Sequence, residues 1–296
     1  MTRHLGRAAR LALGGLFAAC VLTGSAQAQT PPASALPPIE GAIGMVDQPC
    51  PPGSFGRSAA LKALAATLAG AAAPDPAVAA AYAKEGPERD RLAAWSAKND
   101  FANLCLYRAD DARLEKQGGV RVVFLGDSIT ELWGAADPGF FSDQLVNRGI
   151  SGQTSSQLLL RFEQDVVALK PRTVHILIGT NDVAGNNGPE RPEDLKNNLR
   201  AMVAVAKAHR IRVVLGAIPP ASVISWKPSL HPAGQIRELN VWIAGFAKAE
   251  GEGFVDYGPV LSTPEGGMKP ALSRDGVHPL KAGYDLMEPI AAAAVK

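Results

Sequence analysis

A serine within the sequence GDSIT has the surroundings expected of a nucleophile. Ser128 follows shortly after an apolar run that ends at residue 125. A serine on a tight turn between a strand and a helix is held exposed, and its own backbone N–H can help to bind an oxyanion. Loops of this kind are also rich in Gly, Asp and Ser because these residues cap helices. The motif alone therefore leaves a nucleophile and a capping turn as alternatives.

A histidine near the other end of the chain lies in the sequence DGVHP, just before the last amphipathic segment. Pro279 suits the first position of a helix, which places His278 on the loop before that helix. The offset of three residues lets Asp275 accept a hydrogen bond from one imidazole nitrogen while the other nitrogen faces a hydroxyl group. A capped helix start with a solvent-exposed histidine has the same pattern. The spacing therefore permits a histidine base without requiring one.

Two turns between these motifs carry groups that can bind an anion. The sequence NRGISG ends in Gly152, whose unobstructed backbone N–H can point into a cleft. The sequence GTND contains Asn181, a carboxamide donor that comes directly after an apolar run. Each turn is ordinary when it is taken singly. Both follow predicted strands, as Ser128 does, and this shared position is what makes them candidates for one site.

Short apolar runs alternate with amphipathic segments and position these turns. Runs of this kind suit the strands of a parallel sheet that is buried on both faces. They cover residues 120–125, 173–178, 211–218 and 253–255, with a weaker candidate at 145–148. The alternation predicts an α/β protein, a flavodoxin-like three-layer α/β/α sandwich with a central parallel sheet of about five strands. Sites in such proteins form beyond the carboxyl ends of the strands, where these motifs lie.

The chain divides into four parts by composition. Residues 1–28 have a basic start, an apolar run and small residues at the end, which is typical of a secretory signal peptide; a buried helix of the mature fold is the alternative. Residues 29–56 form a Pro/Gly-rich linker. Residues 57–118 are Ala-rich with helical periodicity and predict a helical N-terminal extension, for which a structural role is the simplest. Residues 119–296 form the α/β domain. We therefore expect an exported protein, periplasmic or secreted.

Composition and charge exclude several classes of protein. The chain has 296 residues, of which 47% are hydrophobic and 20% charged, so it is globular rather than disordered or a coiled coil. No apolar run of about 18 residues lies beyond the first thirty, which predicts no transmembrane span in the mature chain. The formal charge of +2 depends on three arginines in residues 1–28, without which 27 basic residues face 28 acidic ones. The mature chain lacks the basic excess of a nucleic-acid-binding protein.

The cysteines suggest one disulfide. Cys20 lies in the predicted signal peptide, where its surroundings loosely resemble a lipoprotein cleavage site, so lipidation is a second option for export. The mature chain keeps Cys50 and Cys105, and an even pair in an oxidising compartment favours a bond between them. Such a bond would tie the N-terminal segment to the body of the protein. Two free buried thiols are the alternative.

The four motifs, in this order, resemble the signature of the SGNH (GDSL) hydrolase superfamily. The resemblance implies that Ser128 is the nucleophile and that Asp275 and His278 complete a catalytic triad. It also implies an oxyanion hole made by the backbone N–H groups of Ser128 and Gly152 and the side-chain amide of Asn181. The match covers about residues 119–296 and implies nothing about the residues before them.

Within that superfamily, GDSIT with Trp133 close behind, NRGISG and GTND resemble the platelet-activating-factor acetylhydrolase-like acylesterase branch. The resemblance implies a serine esterase without a cofactor that cleaves short-chain esters, acetyl esters above all, of a carbohydrate or another small alcohol. Trp133 and Trp226 are candidate walls of the substrate pocket, with core packing as an equal alternative for Trp133. A lysophospholipase or thioesterase of the same superfamily is one alternative function, and a non-catalytic binding protein on this fold is another.

Signatures of other hydrolases do not occur in the sequence. It has no G-x-S-x-G, so the nucleophile elbow of the α/β-hydrolases is missing. It has no H-E-x-x-H and no paired C-x-x-C, so a catalytic zinc site has no support. The sequence therefore favours the SGNH pattern over these two kinds of site.

Overall fold

The computed structural model describes residues 44–51, 58–70 and 75–296. The predicted signal peptide, Cys20 and most of the predicted linker lie outside these ranges. Among the helices of the described ranges, none combines the length and the apolar character needed to cross a membrane.

In the described part of the chain, five parallel strands form one sheet with the order β2-β1-β3-β4-β5. The strands are β1 (Val122–Gly126), β2 (Leu145–Gly149), β3 (Thr173–Leu177), β4 (Arg212–Gly216) and β5 (Gly253–Val255). The direction of winding reverses between β1 and β3, so their carboxyl ends flank a crevice. This order confirms the predicted flavodoxin-like sandwich.

Helices cover both faces of the sheet and precede it. Those before the sheet are α1 (Ala59–Ala69), α2 (Pro76–Lys84), α3 (Gly86–Asn99) and α4 (Arg108–Gln117). Those that follow are α5 (Ser128–Ala136), α6 (Ser155–Phe162, continued by the π-helical turn Glu163–Val167), α7 (Thr180–Ala184), α8 (Pro192–Ala208), α9 (Ala233–Glu250), α10 (Gly258–Leu261), the 3₁₀ turn Pro270–Leu272 and α11 (Lys281–Ala294).

The core has two layers, one on each face of the sheet. Along β1, Val123 and Leu125 face the layer formed with α6, α8 and α9, whereas Val122 and Phe124 face the layer formed with α5 and α11. Side chains on a strand alternate between its faces, so a strand covered on both sides is apolar at every position. Because β1 is buried on both faces, its sequence is a continuous apolar run and does not alternate between apolar and polar residues.

The helices before the sheet are fastened to the loop between β2 and α6. Cys50 and Cys105 form a disulfide that joins the described segment 44–51 to the turn between α3 and α4. In the same turn, Tyr107 Oη donates to the Gly149 carbonyl at 2.6 Å, and the Ala102 carbonyl accepts from Gln153 Nε2 at 2.8 Å. The turn therefore lies beside the end of β2, where the candidate glycine Gly152 is found.

A buried histidine in β3 predicts how the stability depends on pH. His175 is 0% exposed, and its Nε2 lies 2.9 Å from Tyr257 Oη. Burial lowers its pKa from 6.5 to about 3, so the folded state favours the neutral ring. The free energy of unfolding is therefore highest above pH 6.5 and decreases as the pH falls toward 3. At pH 5 it is lower by an amount on the order of 2 kcal/mol.

Urea unfolding at pH 7.5 and pH 5 measures this loss. We expect the fall in the free energy of unfolding between the two pH values to be smaller in His175→Gln by roughly that amount. Asn197→Ala, which changes an exposed residue of α8 that does not titrate, should keep the wild-type difference. Equal pH dependence in the wild type and His175→Gln would contradict the assignment.

Candidate active site

Ser128 is the first residue of α5 and lies at the carboxyl end of β1. The turn between them is tight: a Cβ on Gly126 would lie 2.1 Å from Thr130 Oγ1 and 2.6 Å from the Leu177 carbonyl. Only glycine therefore allows α5 to begin so close to β1 and β3. Asp127 caps the helix, because its Oδ1 accepts from the backbone N–H of Ile129 at 2.9 Å. The serine is held at the sheet edge by both features.

His278 and Asp275 reach this serine from the far end of the chain. His278 Nε2 lies 2.8 Å from Ser128 Oγ, and His278 Nδ1 lies 2.6 Å from Asp275 Oδ2. The other carboxylate oxygen of Asp275 accepts from the backbone N–H groups of Val277 and His278, at 3.0 and 2.9 Å. The aspartate thus caps its own turn and holds the imidazole, and the alternative of a capped helix start with a solvent-exposed histidine does not occur, because α11 begins only at Lys281 and the His278 side chain is 13% exposed.

The environment keeps Asp275 ionised. Burial alone would raise its pKa, but hydrogen bonds from the His278 ring and from the backbone of His278 and Val277, together with the attraction of the imidazole, lower the pKa to about 2. Asp275 is therefore a carboxylate across the working pH range of most enzymes. It can accept the Nδ1–H of His278, which leaves Nε2 free to accept a proton from Ser128.

The last helix begins later than the sequence predicts. Pro279 does not take its first position; instead it lies opposite Ser273 in an isolated β-bridge, and α11 begins at Lys281. The bridge closes the loop that carries Asp275 and His278, and Ser273 Oγ donates to Asp275 Oδ1 at 3.1 Å. The loop is shaped by this bridge rather than by a helix start.

Asn181 and Gly152 lie at the same edge. Asn181 is in α7, directly after β3, and its Nδ2 donates to the Gln153 carbonyl at 3.0 Å and to Asp127 Oδ2 at 3.2 Å. One partner adjoins Gly152 in sequence, and the other adjoins Ser128. Gly152 has φ of +81°, a left-handed conformation that favours glycine. The structure thus brings together the turns of the four motifs.

Two aspartates beside the motifs order the loops. Asp127 is wholly buried, and burial raises its pKa to about 7 although the Ile129 N–H and the nearby His278 oppose the rise. Asp182 accepts from the backbone N–H of Ser155 at 3.0 Å and from its hydroxyl group. This contact ties the start of α6 to α7. Both residues therefore act as caps and ties.

The two candidate tryptophans have different positions. Trp133 is 0% exposed and stacks between Phe140 and Tyr284, so its assignment to a substrate pocket is wrong. Five residues along a helix turn the side chain by about 140°, so Trp133 faces the core when Ser128 faces the cleft. Trp226 lies beside the site, with its ring centre 5.8 Å from that of His278.

Sequence reasoning missed Arg161, which holds the strand ends together. Its guanidinium is wholly buried and donates to the carbonyl groups of Gly126 and Arg148 at 2.9 and 2.8 Å, and to Gln153 Oε1 at 2.6 Å. Asp165 balances its charge at 2.7 Å. The available signal was an arginine within the apolar stripe of α6, because a cation on a buried face must be paired.

Asn186 was missed as well. Its Nδ2 donates to Asn181 Oδ1, and its Oδ1 accepts from Trp226 Nε1 at 3.1 Å. It lies in the polar turn after α7, where one asparagine among several carries no distinguishing local signal. Only the folded chain shows which of them contacts the site.

Known proteins match the α/β part of the chain. The sequence model of the GDSL-like Lipase/Acylhydrolase family matches residues 124–286, which is more than half of the chain. The crystal structure of a GDSL-like lipase from Bacteroides thetaiotaomicron aligns with a TM-score of 0.61 and 40% identity, over 66% of this chain and 98% of that chain. A protein from Bacteroides fragilis, provisionally an acylhydrolase, aligns with a TM-score of 0.64 and 40% identity, over 67% of this chain and 98% of that chain.

A further relative is named for the reaction it catalyses. The acetylxylan esterase of Geobacillus stearothermophilus is 36% identical over 89 residues, which cover 22% of this chain and 41% of that protein. This chain thus spans less than half the length of that relative. The family match extends from β1 to α11 and contains Ser128, Asn181 and His278. The chain therefore belongs to the GDSL-like lipase/acylhydrolase family.

Proposed function

We propose that the protein is an exported serine esterase that hydrolyses short-chain esters, acetyl esters first among them, and that carbohydrate esters are its substrates. The observation that carries this proposal is the line of hydrogen bonds from Ser128 through His278 to Asp275, with distances of 2.8 and 2.6 Å. A hydroxyl group, an imidazole and a buried carboxylate in this arrangement can generate a nucleophile at neutral pH.

The reaction is a two-step acyl transfer. Ser128 Oγ attacks the ester carbonyl carbon while His278 Nε2 takes the hydroxyl proton. The tetrahedral intermediate then collapses, the bond to the alcohol oxygen breaks, and His278 gives its proton to the leaving alcohol. Water attacks the acyl-enzyme in the same manner, loses a proton to His278, and releases the carboxylic acid as Ser128 regains its proton. Asp275 holds the imidazole in the required tautomer throughout.

The oxyanion of the intermediate needs donors close to Ser128. We assign this role to the backbone N–H groups of Ser128 and Gly152 and to the side-chain amide of Asn181. Asn181 Nδ2 shares its hydrogens between Gln153 at 3.0 Å and Asp127 at 3.2 Å. We expect the oxyanion to replace Asp127 in the longer of these bonds, because a full negative charge is a stronger acceptor than a carboxyl group with a raised pKa.

Asn181→Ala tests the assigned donor. We expect kcat to fall by about 10² to 10³-fold, because loss of one oxyanion donor typically costs this much. KM should change little, since the bond forms with the transition state. Initial rates on p-nitrophenyl acetate measure both constants. Asn197→Ala, an exposed asparagine on α8, is the control and should keep wild-type rates. Full activity in Asn181→Ala would remove Asn181 from the oxyanion hole.

We infer a small acyl group and a polar alcohol from one side chain beside His278 and from a relative. The ring of Trp226 lies beside the imidazole of His278, and Trp226 Nε1 donates to the amide oxygen of Asn186. A long acyl chain requires a continuous apolar groove, whereas an acetyl group does not. The similarity to an acetylxylan esterase supports the same class of substrate.

A series of p-nitrophenyl esters from acetate to decanoate tests the acyl preference. We expect the rate to fall steeply with chain length and to depend on Ser128, and acetylated xylooligosaccharides to release acetate. A maximum at long chains would favour a lysophospholipase or thioesterase instead. A fluorophosphonate probe separates turnover from mere binding, because only an activated Ser128 becomes covalently labelled. A chain that is neither labelled nor active on any of these esters would be a binding protein on this fold.

Export and domain division are further parts of the proposal. The signal-peptide pattern in residues 1–28 and the disulfide between Cys50 and Cys105 both suit an oxidising compartment. We propose that the mature protein combines a helical N-terminal extension, residues 57–118, with the hydrolase domain, residues 119–296. Mass spectrometry of the mature N-terminus after fractionation of periplasm and medium tests the cleavage; a retained residue 1 would contradict it.

A further inference from the structure

A line of hydrogen bonds runs behind the proposed oxyanion donor. Trp226 Nε1 donates to Asn186 Oδ1 at 3.1 Å, and Asn186 Nδ2 donates to Asn181 Oδ1. Asn181 Nδ2 then donates to the carbonyl of Gln153 and to Asp127. The backbone N–H of Asn186 also donates to the Asn181 carbonyl at 3.0 Å, which fixes the two residues relative to each other. The indole and the oxyanion donor are therefore joined through one amide.

The groups at the two ends of this line of hydrogen bonds fix which atoms donate and which accept along it. An indole N–H can only donate, so it requires the oxygen of Asn186 on its side. The Asn186 amide must then present its NH₂ group to Asn181, which turns the oxygen of Asn181 away from Ser128 and its NH₂ group toward the site. The backbone carbonyl of Gln153, which can only accept, and Oδ2 of Asp127 complete the other end. A side-chain amide can rotate by 180° at no steric cost, so something must select the orientation that an oxyanion requires.

We propose that Asn186 is a positioning residue that holds the Asn181 carboxamide with its NH₂ group toward the oxyanion, and that Trp226 Nε1 sets the direction of this line. The inference rests on the proposed function. Asn186 does not touch the reacting atoms; it acts through Asn181. Trp226 also lies beside the imidazole of His278, so one side chain borders both the base and the support of the oxyanion donor.

Asn186→Asp is the sharpest variant, because it changes one NH₂ group to an oxygen with almost no change in shape. Aspartate still accepts from Trp226 but presents an acceptor to Asn181 Oδ1, which repels it. We expect kcat to fall by about 10 to 100-fold with KM little changed, a loss no larger than that typical of a missing oxyanion donor. Trp226→Phe keeps the aromatic ring and removes the N–H, and should lower kcat by a smaller factor. Asn187→Asp makes the same change one position along the turn, where the side chain contacts Gln157 instead of Asn181, and it should keep wild-type kcat.

Double variants separate positioning from a general structural role. In the Asn181→Ala background the amide to be oriented is absent, so Asn186→Asp should cause no further loss of kcat. Interaction through one shared group is non-additive, whereas independent effects multiply. Multiplying losses, or an unchanged kcat in Asn186→Asp alone, would overturn the proposal. Circular dichroism and Tm measured on each variant exclude loss of folding as the cause.

A spectroscopic readout keeps this test independent of turnover. The side-chain ¹⁵N resonance of Asn181 should shift in Asn186→Asp and in Trp226→Phe, and should stay unchanged in Asn187→Asp. If the wild type shows no Ser128-dependent hydrolysis, the proposed function fails while these shifts still report the orientation of the amide. An Asn181 resonance that is the same in all of these proteins would refute the positioning role whatever the activity.

Discussion

Ser128→Ala is expected to lower kcat by about 10⁵ to 10⁶-fold. Its Oγ lies 2.8 Å from His278 Nε2, so the substitution removes the proposed attacking atom and leaves the imidazole and Asp275 in place. The remaining rate above that of water should come from the oxyanion donors and substrate binding. Substrate binding should be retained, because the hydroxyl group is lost without a change in the turn that Gly126 and Asp127 build.

Single-turnover and steady-state rates on p-nitrophenyl acetate measure the fall, and fluorophosphonate labelling followed by peptide mass spectrometry locates the reactive serine. Ser156→Ala, on the nearby helix α6, is the matched control and should stay within about twofold of wild type. His278→Ala added to Ser128→Ala should cost almost nothing more, because the two residues act as a unit. Label on any serine other than Ser128 would contradict the proposed nucleophile.

Asp275→Asn is expected to lower kcat by about 10⁴-fold. The substituted side chain keeps an oxygen for the backbone N–H groups of Val277 and His278, so the turn survives. Its NH₂ group, however, faces His278 Nδ1 in place of the carboxylate oxygen at 2.6 Å. The ring then carries its proton on Nε2, where it cannot accept the proton of Ser128. The loss therefore comes from the wrong tautomer rather than from a broken loop.

The rate of Asp275→Asn on acetate esters and its Tm test this explanation. Asp256→Asn, an exposed aspartate that accepts from the Gly258 N–H at 2.8 Å in another turn, is the control and should keep wild-type kcat. Because the folded pKa of Asp275 is about 2, below the ordinary value of about 3.9, its ionised form is favoured by folding. That stabilisation is complete above about pH 4 and is lost as the pH falls toward 2. A variant that retains wild-type kcat would exclude the aspartate from the triad.

The strand pattern predicts the sheet because double burial is visible locally. A strand such as β1, covered on both faces, is apolar throughout, and the turns after β1 and β3 carry small and polar residues that stand out against such runs. The pairing of Asp275 with His278 in the loop before α11 is also visible in the local sequence, because the two residues are only three positions apart. These features depend on neighbours in sequence, which is why they can be read without the fold.

Trp133 shows the limit of such reasoning. Its closeness to Ser128 in sequence suggests a pocket, yet the pitch of α5 turns it into the layer that contains Phe140 and Tyr284. Pro279 also departs from its local preference. Its backbone conformation suits a helix start, but in the structure it forms a bridge with Ser273 instead. At Trp133 the local preference is overridden by packing with Tyr284, which is distant in sequence, and at Pro279 it is overridden by a bridge within its own loop.

The amino-acid sequence thus accounts for which chemical groups lie at the carboxyl edge of the sheet, because the types and spacing of residues specify strands, turns and caps. It does not show that Ser128 and His278, 150 positions apart, lie 2.8 Å from each other. Nor does it show that Trp226 and Asn186 direct the amide of Asn181. Distances and amide orientations of this kind depend on the order of the strands and on side-chain packing across separate elements, so they exist only once the whole chain has folded.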